Sequence, residues 1–405
     1  MSTLFDTKGH PRRAYTSFAL LGIALVLFPF IAQPFGNSWV RIMDVALLYI
    51  MLALGLNIVV GFAGLLDLGY IAFYAIGAYM TALLASPQFA TVIESFVNQY
   101  PPIGNALLWL FGPEIAQNGI HLSVWLIVPL GAGVAALFGA LLGAPTLKLR
   151  GDYLAIVTLG FGEIIRIFMN NLNGPVNITN GPQGINMVDP IRIFGVSLAG
   201  EPGSRSIVYV GDFGMPSVNA YYFLFLGLCI AIVFISSRLQ HSRLGRAWVA
   251  IREDEIAAKA MGINTRNMKL LAFAMGASFG GIAGAMFASF QGFVSPESFS
   301  LTESIAVLAM VVLGGMGHIP GVVLGGVILA ALPEILRHVV EPMQQAVFGK
   351  VLIEAEVLRQ LLYGLAMVII MLTRPSGLWP SPRYEDRFDA TSRPSEKKDA
   401  AGMAV

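Results

Sequence analysis

Two glycine-interrupted apolar segments are the part of this chain best suited to handling a solute. They are LNIVVGFAGLLDLGYIAFYAIGAY, residues 56–79, and VVLGGMGHIPGVVLGG, residues 311–326. Where such runs cross a membrane, non-helical backbone is tolerated only if it is buried in protein or lines a cavity. Paired breaks in the two halves of a chain are typical of a translocation path. The path residues that this pattern predicts are Gly61, Gly64, Asp67, Gly314, Gly315 and Gly317.

Close helix packing is the alternative use of small residues, and one motif clearly favours it. GASFG, residues 276–280, matches a nucleophile pattern around Ser278, but no strand precedes it and no paired histidine is evident. Gly276, Gly280 and Gly284 instead recur every four residues, which predicts a ridge against a neighbouring helix. We therefore expect no catalytic residue.

Metal, disulfide and nucleotide chemistry have no motif in this sequence. The five histidines make no ligand spacing, and the single cysteine, Cys229, lies inside an apolar run. No GxxxxGK[ST] phosphate loop is present, so any ATP hydrolysis must come from another chain. The chain is expected to bind no metal ion and no cofactor, and to perform no covalent chemistry.

Charged residues are rare inside the apolar runs. Glu163 and Arg166 are three residues apart in the run 153–171, a spacing that puts them on one helix face where they neutralise each other. A structural pair and a substrate contact are both open for them. The runs contain no series of acidic residues and histidines of the kind that a proton-coupled carrier usually shows.

The densest charge lies in RLGRAWVAIREDEIAAKAMGINTRNMK, residues 243–269. Helix-forming residues run as far as Gly262, which stands in a helix-capping position. A short amphipathic helix of this kind suits docking into a groove on a partner protein. A helix lying on lipid would need a basic polar face, whereas this one carries Glu253, Asp254 and Glu255.

The composition indicates which elements must position these residues. Of 405 residues, 56% are hydrophobic and only 12% are charged, against about 25% charged in a soluble chain. A net charge of +1 also excludes a generic nucleic-acid binder. A helix needs about 20 apolar residues to cross a bilayer, so we predict an all-α polytopic membrane protein with about ten spans, some short or glycine-broken. The runs are 14–32, 42–60, 70–85, 122–145, 153–171, 220–237, 270–291, 303–314, 321–337 and 357–373.

The distribution of Lys and Arg predicts the orientation, because these residues accumulate on the cytoplasmic side. With an inner N-terminus, most of the 25 Lys and Arg residues fall on inner segments, chiefly in 238–269 and 374–398. Both termini are therefore expected in the cytoplasm, and segments 86–121 and 172–219 outside. The first run is expected to be an uncleaved span, since IAQPFG offers no convincing cleavage site for a signal peptidase.

Several pieces of the sequence together resemble a known family. They are GLNIVVGFAGLLDLGYIAFYAIGAY, RGDYLAIVTLGFGEIIRI with TNGPQGI, GRAWVAIREDEIAAKAMGI, FVSPESFSLTESIAVLAMVVLGGMGHIPGVVLGG and RPSGLWP, in order over most of residues 45–380. The chain resembles LivM-type permeases, the membrane subunits of ATP-driven (ABC) importers of branched-chain amino acids.

The resemblance implies a bacterial inner-membrane subunit that works with a homologous second permease, two cytoplasmic ATPase subunits and a periplasmic substrate-binding protein. Glu255, Ala257, Ala258 and Gly262 are similar to the EAA motif by which importer permeases dock their ATPases, although Ile256 follows the glutamate and no proline closes the motif. The implied division of the chain is a tail and first span (1–40), a permease core (41–373) that includes a coupling loop (238–269), and a cytoplasmic tail (374–405).

Other functions are open at this point. A permease for urea or short amides shares nearly every motif quoted above. A secondary carrier would need no docking loop, and a hydrolase built on Ser278 has the least support. Partial charges at broken helix ends suit a zwitterion with an apolar side chain, so leucine, isoleucine and valine are the predicted substrates.

Overall fold

The chain folds almost entirely into helices. The computed structural model describes residues 11–112, 114–146, 149, 151–193, 195–199, 207–210, 213–350, 354–374 and 377–379. Nearly all of the predicted tail 374–405 lies outside these residues. The described α-helices are α1 (Pro11–Ala32), α2 (Asn37–Asn57), α3 (Ile71–Leu84), α4 (Gln88–Gln99), α5 (Pro101–Phe111), α6 (Ile115–Asn118), α7 (Val124–Thr146), α8 (Asp152–Asn171), α9 (Ser217–Gln240), α10 (Arg243–Glu253), α11 (Glu255–Ala260), α12 (Thr265–Gln291), α13 (Leu301–Gly314), α14 (Ile319–Phe348) and α15 (Ala355–Thr373).

Each apolar run predicted from the sequence corresponds to one of these helices. Six helices of the described chain are long and apolar enough to span a membrane: α2 with its π-helical extension, α7, α9, α12, α13 with the turn before it, and α14. The structure thus supports a polytopic helical membrane protein but not the full count of about ten spans. Helix α3 has 14 residues because a glycine break occupies its start, and α8 carries Asp152, Glu163 and Arg166.

Short strands and loops gather at one end of the bundle, which we call the loop end. The Asp189 N–H donates to the Ala85 carbonyl oxygen at 2.6 Å, and Trp125 Nε1 donates to the Arg192 carbonyl oxygen at 2.9 Å. The antiparallel strand pairs are β1 (Ala85–Ser86) with β2 (Ile120–His121), β4 (Arg192–Ile193) with β5 (Val196–Ser197), β6 (Ile207–Val210) with β7 (Phe213–Pro216), and β3 (Ile185–Asn186) with β8 (Phe293–Val294). Residues 86–121 include the helices α4 and α5.

Helices α10 and α11 lie at the opposite end, which we call the coupling end. Trp248 on α10 is fully buried, and its Nε1 donates to the Met268 carbonyl oxygen at 2.7 Å in the first turn of α12. Because a buried indole needs both apolar contact and a partner for its N–H, this bond fixes α10 against the bundle. The loop 238–269 is therefore packed onto the membrane helices.

Small residues let the central helix α12 approach α2 and α3. A Cβ on Gly276 would lie 3.0 Å from the Gly55 carbonyl oxygen, and one on Gly284 only 2.1 Å from that of Tyr74. Gly280 likewise faces the Phe73 side chain at 3.2 Å. Between membrane helices such close van der Waals contact is a main source of association, which confirms the predicted packing ridge.

Candidate translocation path and coupling loop

The first predicted break begins where α2 widens into a π-helical turn, Ile58–Phe62. Gly64 follows with φ of +67°, a left-handed conformation that costs a residue with a side chain about 1–2 kcal/mol. Residues 63–70 are then non-helical. Leu68 is held from two other helices: its N–H donates to Thr158 Oγ1 at 3.0 Å, and its carbonyl oxygen accepts from Ser304 Oγ at 2.5 Å. Most of the break is thus enclosed by protein, as is typical of non-helical backbone at membrane depth, whereas Gly64 itself is exposed.

Asp67 closes a turn inside this break. Its side chain is 2% exposed, and its Oδ1 accepts from the Gly69 N–H at 2.9 Å. Asp and Asn side chains commonly bond their own backbone two residues on in this way. The position of Asp67 between the glycines is therefore explained by turn geometry.

The second break separates α13 from α14. Helix α13 ends at Gly314, and Gly315 and Gly317 follow with φ of +114° and +82°. A Cβ on Gly314 would lie 2.3 Å from the Gly321 carbonyl oxygen, so the two helix ends can meet only without side chains there.

A segment after α15 covers the second break. The Leu378 N–H donates to the Leu313 carbonyl oxygen at 2.8 Å, and the Trp379 N–H donates to that of Gly314 at 3.3 Å. The last carbonyls of a helix have no partner within it, so these bonds satisfy groups that the end of α13 would otherwise leave open.

The two breaks meet at the coupling end. Asn57 is fully buried, and its Oδ1 accepts from the Gly317 N–H at 2.8 Å. A Cβ on Gly61 would lie 2.1 Å from that Oδ1 and 2.5 Å from the Gly317 nitrogen. Residues from opposite halves of the sequence are therefore joined by one side chain and leave no room for another.

Arg252 connects the loop 238–269 to this junction. From the last turn of α10 its Nη1 donates to the Gly61 carbonyl oxygen at 2.6 Å. Its Cγ would lie 2.5 Å from a Cβ on Gly64, and its Nη1 would lie 3.1 Å from one on Gly317. Gln240 Nε2 adds a second bond from the loop side, to the Gly317 carbonyl oxygen at 3.3 Å.

The loop contains two short helices where the sequence predicted one. Asp254 adopts extended backbone dihedrals, which ends α10, and its Oδ1 accepts from the N–H groups of Ile256 at 2.8 Å and Ala257 at 3.0 Å. This is the N-cap arrangement, which satisfies the first free N–H groups of a helix. The acidic run of Glu253, Asp254 and Glu255 therefore contains a helix boundary.

Gly262 ends the second helix as predicted. It has φ of +83°, and its N–H donates to the Lys259 carbonyl oxygen at 3.1 Å. The Ile263 N–H donates to the Ala258 carbonyl oxygen at 3.1 Å. Together these bonds form a Schellman motif, in which a left-handed glycine terminates the helix.

The predicted coupling residues face different ways. Glu255 forms an ion pair with Lys269 at 2.7 Å, and the Lys269 side chain is only 7% exposed. Ala258 is buried, whereas Ala257 and Gly262 are exposed. The largest exposed apolar side chains of the loop are those of Ile256 and Met261, at 71% and 84% exposure.

Two other sequence candidates have structural partners. Arg166 Nε donates to Glu163 Oε1 at 2.9 Å, which confirms the pair, and Nη1 lies 3.3 Å from Glu297 Oε1. Ser278 Oγ donates to the Met275 carbonyl oxygen of its own helix at 2.7 Å. Such back-bonding is common for serine in helices and uses the hydroxyl that a nucleophile would need.

Sequence reasoning missed Arg252, Asn57 and Gln240. Arg252 sits in a charged stretch, Asn57 within an apolar run and Gln240 at a helix end. A polar residue deep in an apolar run needs a buried hydrogen-bond partner and so indicates a contact with another segment. Asn57 is such a residue. Nothing local in the sequence distinguishes Arg252 from Arg246 on the same helix.

The fold and this site define a polytopic helical membrane protein of the transport-permease class. The family model described as branched-chain amino acid transport system / permease component matches residues 38–371. The chain belongs to this family of transporter subunits, and the resemblance seen in its motifs is confirmed.

Individual relatives agree with this assignment. The chain is 40% identical to the high-affinity branched-chain amino acid transport system permease protein LivM of Escherichia coli, over 90% of this chain and 74% of that protein. It is 27% identical to the probable LivM of Methanocaldococcus jannaschii, over 82% and 90%. It is 22% identical to the LivH permease of Escherichia coli, over 83% and 92%. No solved structure matches the chain.

Proposed function

We propose that this chain is the permease subunit of an ATP-driven importer of branched-chain amino acids and provides part of the translocation path. The names of its relatives support the substrate, because LivM and LivH proteins are described as components of high-affinity branched-chain amino acid transport. The same names favour this substrate class over urea and short amides. ATP hydrolysis is assigned to partner subunits, since the sequence has no phosphate loop.

The path is assigned to the two broken segments, with Gly61, Gly64 and Asp67 in the first and Gly314, Gly315 and Gly317 in the second. The observation that carries this proposal is the hydrogen bond from Arg252 Nη1 to the Gly61 carbonyl oxygen at 2.6 Å. It joins the loop that would contact the ATPase directly to the backbone that would line the path. We treat this junction as a gate that is closed in the structure.

The energies are suited to a switch. A hydrogen bond to a charged group contributes about 1.5–3 kcal/mol, and a partly exposed arginine falls toward the lower end. Two-state gates are typically balanced within a few kcal/mol, so withdrawing one such bond shifts the populations substantially. A small displacement of α10 by an ATPase would therefore suffice to free the junction.

Docking of the ATPase is assigned to α11 and its cap. Ala257 and Gly262 lie on the exposed side, and Ile256 and Met261 supply apolar area for a groove. Glu255 and Ala258 lie beneath this surface and support it: Glu255 pairs with Lys269, and Ala258 is buried. The departure at Ile256 from the EAA pattern thus falls on one of the two most exposed apolar side chains of the loop.

The proposed assembly contains a homologous second permease, two cytoplasmic ATPases and a periplasmic binding protein in a bacterial inner membrane. The similarity to both LivM and LivH proteins supports a pair of related permeases. With the 238–269 loop in the cytoplasm, both termini lie there also. A reporter fused at residue 400 is then cytoplasmic and one at residue 100 external; the reverse pattern would contradict the docking assignment.

Reconstitution of the complete complex in liposomes tests the function. Leucine-loaded binding protein should stimulate both ATP hydrolysis and leucine uptake, whereas urea should stimulate neither. Ile256→Glu should abolish copurification of the ATPases, and Leu301→Glu at the loop end of α13, 38% exposed, serves as a charge-matched control. Stimulation by urea alone would reverse the substrate assignment, and normal uptake by Ile256→Glu would refute the docking surface.

A further inference from the structure

A cavity of about 350 Å³ lies between α2, α13, α14 and α15, toward the loop end. Its position follows from Arg41, which lines it and whose Nη2 donates to Gln291 Oε1 at 3.1 Å beside β8. The same helices α2, α13 and α14 form the closed junction at their other ends. The cavity falls within the size range of small-molecule sites, about 300–1,000 Å³.

Charged side chains of both signs line the part of this cavity that lies nearest the loop end. They comprise three guanidinium groups, from Arg41, Arg337 and Arg359, and two carboxylates, from Glu303 and Glu334. Within membrane-spanning helices, ionisable side chains are rare and usually face an internal or water-filled space where they act. A set of five around one cavity is therefore a candidate binding site.

Two of these charges are committed to each other. Glu303 accepts from the Tyr49 hydroxyl, and its Oε1 lies 3.4 Å from Arg359 Nη2. Both side chains of this ion pair are less than one-fifth exposed. Arg359 also lies over the Tyr363 ring, 5.9 Å from its centroid. The pair forms a rigid wall of the cavity.

The other three charges, on Arg41, Glu334 and Arg337, form the rim of the cavity. Arg337 Nη1 lies 3.5 Å from Glu334 Oε2, at the limit of a hydrogen bond, and the Arg337 side chain is 65% exposed. Arg41 is exposed as well. The two exposed guanidinium groups can reorient toward a ligand at low cost, whereas the Glu334 side chain is only 19% exposed and holds its place at the rim.

The floor is apolar and closed. Ala306 and Met310 are buried and line the cavity one and two helical turns below Glu303. Below them α2 and α14 are in contact, since a Cβ on Gly326 would lie 2.7 Å from Ile50 Cγ1. The cavity thus ends between its charged rim and the junction at Gly61.

We propose that this cavity binds an α-amino acid with an apolar side chain. The ligand carboxylate lies toward Arg41 and Arg337, its ammonium group toward Glu334, and its side chain on Ala306 and Met310. The proposal rests on the proposed function, and it adds a binding site in the half of the bundle opposite the junction.

The arrangement of the lining selects this class of ligand. Arg pairs well with carboxylates through parallel N–H donors, and a carboxylate accepts from an ammonium group. A simple anion would be repelled by the Glu334 carboxylate. A neutral polar solute would form no ion pair with charges of either sign and would place polar groups against the apolar floor. A zwitterionic head with an apolar side chain matches all three parts of the cavity.

Thiol labelling in the assembled complex tests this site. Ala330→Cys places a thiol on the cavity wall, and the natural Cys229 is buried. A charged methanethiosulfonate reagent should label Ala330→Cys, and leucine at a concentration that fills nine-tenths of the sites should slow the reaction about tenfold. Leucinamide, which lacks the carboxylate, and isocaproate, which lacks the ammonium group, should not slow it. Met187→Cys, 77% exposed at the loop end, is the ligand-independent control.

Two rim variants sharpen the result. Arg337→Gln and Glu334→Gln, each combined with Ala330→Cys, should raise the leucine concentration that gives half protection about tenfold or more, as expected for a lost charge-assisted bond. Leucine uptake by the wild-type complex is measured in parallel, so that loss of uptake signals failure of the proposed function alone. With uptake intact, absence of labelling, absence of protection by leucine, or equal protection by isocaproate would overturn the amino-acid site. Protection by phosphatidylethanolamine but not by free leucine would assign the cavity to a lipid headgroup and overturn it also.

Discussion

Arg252 donates a hydrogen bond to the backbone carbonyl of Gly61, 191 positions earlier in the chain, at 2.6 Å. The donor sits at the end of α10 and the acceptor lies in the π-helical turn that ends α2. Because the acceptor is a backbone carbonyl oxygen, the bond depends on the position of the main chain at Gly61 and on no side chain there. Under the proposed coupling, a change in the position of α10 would reach the first break through this bond.

Removing this bond should uncouple transport from ATP hydrolysis. In Arg252→Ala we expect uptake of leucine per ATP to fall about tenfold or more, since the lost charge-assisted bond amounts to at least one tenfold step in the gate equilibrium. The measurement is uptake and hydrolysis on the same proteoliposomes. Arg246→Ala is the matched control, because among the described residues Arg246, on the same helix, donates to the His241 carbonyl oxygen at 3.0 Å and not to either break. Equal coupling ratios in the two variants would contradict the gate.

A methyl group at Gly61 should not fit. Its Cβ would lie 2.1 Å from Asn57 Oδ1 and 2.5 Å from the Gly317 nitrogen, and such overpacking typically costs about 1–3 kcal/mol. Gly61→Ala should therefore lower the melting temperature of the purified permease and reduce uptake. Gly133→Ala on α7, where a Cβ meets nothing within 4 Å, should be neutral or slightly stabilising. An unchanged melting temperature for Gly61→Ala would contradict the close packing of the junction.

The ion pair of Glu255 and Lys269 should stabilise the loop. Glu255→Gln leaves the nearly buried ammonium group of Lys269 without its counter-charge, which we expect to cost about 1–3 kcal/mol. Adding Lys269→Met should recover most of that loss, because the charge is then removed altogether. Thermal melts of the two variants provide the measurement, with Glu94→Gln at an exposed position of α4 as control. A double variant less stable than Glu255→Gln would contradict the pairing.

One contact at the loop end should make stability depend on pH. His121 Nδ1 lies 2.6 Å from Asp189 Oδ2, and this hydrogen bond raises the pKa of His121 above its ordinary value. A group whose pKa is raised by folding stabilises the fold fully below its unfolded pKa, about 6.5, and loses that contribution as the pH rises through the folded pKa. The wild type should thus exceed His121→Asn in melting temperature at about pH 6 and match it at about pH 9. The difference should be small, since exposed pairs contribute about 0–1 kcal/mol. A difference that grows with pH would contradict the assignment.

Much of this architecture follows from local sequence. Each apolar run forms a helix, because a helix satisfies its backbone hydrogen bonds within one segment where apolar surroundings offer no other partners. The breaks fell at Gly64 and Gly317, where positive φ is needed, and Gly262 ended α11 for the same reason. Such positions are predictable because the need for glycine comes from local backbone dihedral angles and involves no distant residue.

What the sequence could not supply are contacts between distant segments. Arg252 and Gly61 meet only because α10 packs against α12 and the π-helical turn Ile58–Phe62, and a charged run gives no sign of which arginine turns inward. The cavity at the loop end likewise collects Arg41, Glu303, Glu334 and Arg359 from four helices. Asp254 was hidden for a different reason, since an acidic residue within an acidic run suits a helix face as well as an N-cap.

Hydrogen exchange of the breaks in the assembled complex tests the central claim most directly. The amide of Gly317 is held by Asn57 and lies beside Arg252, so its protection reports whether the junction is closed. In the wild type we predict that ATP with vanadate lowers the protection of peptides covering 60–70 and 311–321 about tenfold or more, while a peptide from α7 stays unchanged. In Arg252→Ala both peptides should exchange rapidly with or without nucleotide. Protection that ignores nucleotide in the wild type, or a nucleotide response that survives in Arg252→Ala, would contradict the account.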